Sequence, residues 1–128
     1  VTGLGNVHCM ALPLGALFPI PHGLANALCL PTAAEFNFLA NPARYARVAQ
    51  ILGVDIRGLS DLAAGREAVE AIRTLCADLG IPTRLRDVGV TEESIEELAR
   101  RSFAADYNRW NPRHTAEKDF RMLFEKAY

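Results

Sequence analysis

Two of the three histidines, His8 and His22, fall in the most apolar part of the chain, in the run HCMALPLGALFPIPH. Imidazole is the commonest protein ligand for borderline divalent metals, so a pair of this kind points to a shared ion. The competing reading is two core histidines, each satisfied by a single hydrogen bond. Geometry limits how an ion could be shared. Fourteen residues of continuous helix rise about 21 Å, whereas two imidazoles on one ion need nitrogens within roughly 4 Å. One helix cannot bring them together, but Gly15, Pro19 and Pro21 lie between them and can reverse the chain. Two histidines leave a metal under-coordinated, and no acidic residue lies near either in sequence, so other ligands must come from elsewhere. His114, between Arg113 and Thr115, reads as a surface residue at a solvated helix start.

The elements that must position the pair all carry the helical period, and none shows strand alternation. The expected class is all-α, with about six helices. The first runs from about Asn6 to Leu17, with Asn6 available as its cap, and is ended by Pro19 and Pro21. The second starts near His22 and extends through Pro31, a place for a kink, to the Phe36–Phe38 region. The third spans Pro42 to Leu52 and stops at Gly53. Ser60 and Asp61 can cap a longer helix with an apolar stripe of Val69, Ile72, Leu75, Cys76 and Leu79, ending at Gly80 and Pro82. Thr91 opens another, with Glu92 and Glu93 in its first turn and Ile95, Leu98 and Ala99 facing inward. Thr115 opens the last, which buries Phe120, Leu123 and Phe124.

Composition narrows the function classes. The chain has 128 residues, half of them hydrophobic, with 23% charged and a formal net charge of -1. That is enough for one domain with its own core, and there is no basic face for nucleic acid. No apolar run reaches the roughly 18 residues of a membrane span. Cys9, Cys29 and Cys76 are odd in number and dispersed among apolar residues, which favours a reducing compartment and a cytoplasmic location. There is no repeat, low-complexity run or linker. The opening residues VTGLGNVHCMA, without Met or a signal-peptide plan, read as the interior of a longer protein, so residues 1–128 are expected to be one domain and a fragment.

The run GLGNVHCMALPLGALFPIPHGLANALCLP resembles the signature of group III, iron-containing alcohol dehydrogenases, in which a histidine, a short apolar helix and a P-H-G-x-x-N-A segment recur at the same fourteen-residue step. Asn111, Pro112 and Arg113 resemble the N-P-R turn before the family's last helix. Together the two motifs frame nearly the whole chain.

The resemblance implies the C-terminal helical half of a dehydroquinate synthase-like two-domain fold, with an N-terminal α/β domain that binds NAD(P) absent here. It implies a divalent metal, iron(II) or alternatively zinc, held by an aspartate and three histidines. His8 and His22 match the last two, and the other two ligands belong to an earlier helix. The implied activity is oxidation of a small alcohol or reduction of an aldehyde, with the metal polarising the substrate oxygen during hydride transfer. The fragment alone is then inactive, no residue is singled out as catalytic, and the partners are the missing domain, the substrate and further copies in a homo-oligomer.

One departure is Leu12, which stands where family members often carry a histidine suspected of relaying protons. Two alternatives remain open: a non-catalytic assembly or binding module, and a metal-free enzyme resembling maleylacetate reductases. The lesser candidates have plain structural readings. Gly23 and Asn26 serve packing and capping around His22, Cys9 is core, Arg113 is an exposed loop arginine, and Tyr107 and Trp110 fill a surface where the absent domain would dock.

Overall fold

The computed structural model describes residues 3–128, and among these there are six α-helices and no strand. They are α1 (Asn6–Leu17), α2 (His22–Phe38), α3 (Pro42–Ile51), α4 (Asp61–Asp78), α5 (Ile95–Ala104) and α6 (Glu117–Ala127). Short 3-10 turns occupy Leu85–Val88, Glu92–Ser94 and Asn108–Trp110. The all-α expectation and the helix count both hold. None of the six is long and apolar enough to cross a membrane.

Helices α1, α2, α5 and α6 pack around one core built on Cys9, Met10, Leu14, Leu98, Phe120 and Phe124, all essentially without solvent contact. Helices α3 and α4 pair with each other and join the rest through α2, where Phe38 and Val69 form a second, smaller core. The apolar stripe expected along α4 is only half right. Val69 is buried and Ile72 and Cys76 are half-buried, but Leu75 and Leu79 face solvent. The helix instead buries its small residues Ala64, Gly65 and Ala68, and at Gly65 the close approach of α2 and α3 leaves no room for a larger side chain. A Cβ on Gly65 would stand 3.1 Å from the Phe38 ring.

Several helix ends follow the sequence. Ser60 caps α4 by accepting from the Ala63 amide, and Asn41 caps α3 by accepting from Arg44. Gly53 and Gly80 end α3 and α4 with φ of +88° and +70°, and in each case three carbonyls of the last turn receive amides from beyond the helix. Only glycine adopts this left-handed geometry without steric cost. Helix α2 runs as one element through Pro31, whose missing N–H leaves the Ala27 carbonyl without its in-helix donor.

Three expected caps are something else. Asn6 makes no capping bond and is buried inside α1, where its Nδ2 donates to Thr115 Oγ1 at 2.8 Å. Thr115 therefore does not cap α6; its hydroxyl donates to the Arg113 carbonyl at 2.9 Å, and the Asp119 carboxylate reaches back to the Ala116 amide at 2.8 Å instead. Thr91 makes no side-chain cap either, and the chain enters α5 through the 3-10 turn, with Ser94 Oγ donating to the Thr91 carbonyl.

The hub of this polar cluster is Asn111. Its Oδ1 accepts from the Asn6 backbone amide at 3.2 Å and from Asn37 Nδ2 at 3.1 Å, while its Nδ2 donates to Asn37 Oδ1 at 2.6 Å and to the Arg113 carbonyl at 2.8 Å. A Cβ on Gly5 would stand 3.1 Å from Asn111 Oδ1, so glycine keeps the start of α1 close to the hub. Replacing Asn111 with Ala removes four hydrogen bonds and strands part of Asn37, and the expected loss in thermal or denaturant unfolding is about 3 kcal/mol. A loss below about 1 kcal/mol, no more than a single ordinary hydrogen bond, would show that the cluster does not organise the fold.

Candidate metal centre

His8 lies one turn into α1, and His22 is the first residue of α2. The link between the two helices is four residues long. Phe18 closes α1 by donating its amide to the Leu14 carbonyl, the Ile20 amide bonds the Phe18 carbonyl at 2.8 Å, and the Ile20 side chain is buried. With one apolar residue anchored and a proline on each side of it, the chain turns back on itself and α2 packs along α1. The reversal inferred from Gly15, Pro19 and Pro21 is present.

The result is that the His8 and His22 rings face each other, with centroids 5.7 Å apart and planes inclined at 50°. With metal–nitrogen bonds of about 2.0–2.1 Å, two imidazoles on one ion have centroids roughly 5–6 Å apart, so the observed separation fits a shared ion. His8 is half-buried and His22 exposed, so the pair sits at the rim of the core and opens to solvent. Among the described residues no third His, Cys, Asp or Glu joins them in a group able to hold a metal. Within this chain the donors therefore form half a set.

Asn26 stands one turn beyond His22 on α2, with its Nδ2 3.1 Å from His22 Nε2. An amide N–H can only donate, so this contact takes up the Nε2 lone pair of His22, and the ring must release Asn26 before Nε2 could hold an ion. The Asn26 Oδ1 is buried without a partner, a polar atom beside the pair that can still accept a hydrogen bond. The expected packing and capping roles of Gly23 and Asn26 do not hold. A Cβ on Gly23 would meet nothing within 4 Å, and Asn26 bonds the imidazole rather than a helix end.

Other residues fall as follows. Cys9, adjacent to His8, is buried, and burial pushes its thiol up to about 11, so it stays a protonated core residue. Cys29 is buried more completely and pushed up to about 12. Leu12, one turn after His8, is 41% exposed, and Trp110 is 51% exposed. His114 is exposed, as expected. Arg113 departs from the expected free loop arginine, because its Nη1 donates to the Phe36 carbonyl at 2.9 Å and its guanidinium lies 3.9 Å from the Phe36 ring centroid. Asn37 had no role assigned from sequence; a polar residue on an apolar helix face was the available signal.

Residues 1–128 match the family model described as "Fe-containing alcohol dehydrogenase family, C-terminal". The chain belongs to the iron-containing alcohol dehydrogenase family. It is 42% identical over 125 residues to a 1,3-propanediol dehydrogenase of Klebsiella pneumoniae, covering 98% of this chain and 32% of that protein. It is 41% identical over 126 residues to the lactaldehyde reductase of Escherichia coli K12, covering 98% of this chain and 33% of that one. A crystal structure of a 1,3-propanediol oxidoreductase superposes with a TM-score of 0.95 at 42% identity, over 98% of this chain and 33% of that chain. The chain thus spans about a third of the length of the curated relatives it matches, and it corresponds to the family's C-terminal helical part.

The cysteine environments carry a direct test. In the folded protein at pH 8, a disulfide reagent should leave Cys9 and Cys29 unmodified until denaturant is added, since both thiols are buried and protonated there. Rapid modification of either in the native state would contradict the packing described.

Proposed function

We propose that this chain is the helical, metal-holding part of an NAD(P)-linked alcohol dehydrogenase or aldehyde reductase, acting on a small alcohol or aldehyde of the kind named for its relatives. The observation that carries the reading is the facing of His8 and His22 at 5.7 Å across a short reversal, in a chain of the iron-containing family. Two neutral imidazole nitrogens suit iron(II), with zinc as the alternative, and the remaining donors and the nucleotide site come from the part of the protein outside this chain.

When bound, the metal supplies Lewis-acid polarisation of the substrate oxygen during hydride transfer with the nicotinamide. The chain's own residues prepare for this. His8 is held on a helix whose start is tied down by Asn111, and His22 is held as the first residue of α2 by the turn before it. Leu12, exposed one turn from His8, can neither donate nor accept a proton, so proton movement near the site falls to solvent or to groups outside this chain. The exposed Leu12 and Trp110 side chains also support a face on which the nucleotide-binding part docks.

The test uses the full-length protein. Elemental analysis after gentle purification should give iron or zinc near one equivalent, lost together with NAD(P)-linked alcohol oxidation in the His8→Ala/His22→Ala double variant. Metal retained in the double variant would sink the assignment. Asn26→Leu removes the donor that competes for the His22 Nε2 lone pair and should leave metal affinity equal or higher with the fold intact, as measured by competitive chelator titration. A fall in affinity would mean that Asn26 supports the ligand rather than competing for it.

A further inference from the structure

Away from the histidines, α2, α4, α6 and the loop before α6 enclose an open cavity of about 310 Å³ whose wall carries three cations, Arg66, Arg113 and Lys126. Among the described residues none of the three forms an ion pair. The one carboxylate in the wall, Glu35, is already engaged by Arg73 at 2.9 Å. Arg73 is shared with Glu70 at 2.6 Å, so the wall sets three cations against one partly compensated carboxylate and is net positive in a chain whose overall charge is close to neutral.

The Arg113 guanidinium is fixed rather than free. Arg113 stacks on the Phe36 ring and spends Nη1 on the Phe36 carbonyl, which leaves its remaining N–H groups available. Arg66 lies over the Phe38 ring at 5.9 Å. Stacking on aromatic faces orients a guanidinium without neutralising it, and a pre-oriented planar fork matches phosphate oxygens bidentately. Like charges gathered around a cavity repel one another, and a multiply charged anion relieves that repulsion. Apart from Thr32 and Glu35 the rest of the wall is apolar, with Leu39 and Met122 its more exposed members.

We propose that this cavity binds a small organic phosphate, its phosphate or diphosphate oxygens taken by Arg66, Arg113 and Lys126 and its apolar portion laid against Leu39 and Met122. The volume is at the lower end of ordinary ligand sites, which suits a small metabolite. None of these residues is one that the proposed metal site uses.

The test is calorimetric titration of the full-length protein with inorganic pyrophosphate, with succinate as a dicarboxylate comparison, on the wild type and on the Arg66→Gln/Lys126→Gln variant. Both replaced side chains are on exposed residues, and thermal unfolding checks that the variant folds. The expected result is saturable binding of one pyrophosphate, weakened about a hundredfold in the variant, roughly tenfold for each charge-assisted hydrogen bond removed. No saturable binding, as when another segment of the protein fills the cavity, overturns the proposal. So does equal affinity in the variant, and tighter binding of succinate overturns the choice of phosphate.

Discussion

The side chain of Asn111 accepts from the first amide of α1, exchanges two hydrogen bonds with Asn37 on α2, and donates to the loop that leads into α6. Residues 105 and 74 positions away in sequence are thereby tied at one point. These groups are largely withdrawn from water, and any rearrangement of the three segments leaves several unsatisfied at once. Thr115 extends the constraint by receiving the Asn6 carboxamide. Apolar packing would tolerate α1 sliding or rotating on its neighbours, whereas the polar cluster admits one register.

That register matters because His8 lies only two residues beyond Asn6. The opposite side of the pair is set by the chain reversal, in which Ile20 is buried between two prolines and His22 follows at once as the first residue of α2. Each histidine is therefore positioned from one side only, His8 from the start of its helix and His22 from the turn before its own. Their approach to 5.7 Å is the joint outcome of a polar anchor and an apolar one. The two imidazoles, on a support that fixes both and open to solvent, suit the proposed role of ligands whose set is completed from outside this chain.

Much of this was legible in the residues. The helical periods, the glycine stops at Gly53 and Gly80, the Ser60 cap and the need for a turn between the histidines all rest on local chemistry, and local chemistry decided them. What could not be read was long-range. Asn6 and Thr115 look like caps because Asn and Thr usually are, but the Asn6 Nδ2 donates to the Thr115 hydroxyl across the molecule. Arg113 looks like a loop arginine until Phe36 is found beneath it. Leu75 and Leu79 fit an apolar stripe, yet the buried face of α4 carries small residues, with Gly65 where α2 and α3 approach. Sequence spacing states which residues share a helix face, and only the packing states which face is covered.

We place one divalent ion between His8 and His22, and anomalous scattering at the iron and zinc absorption edges from crystals of the full-length protein tests that placement most directly. The predicted result is a single peak about 2.0–2.2 Å from one nitrogen of each ring. A peak bound elsewhere, with both imidazoles free of metal, would contradict it.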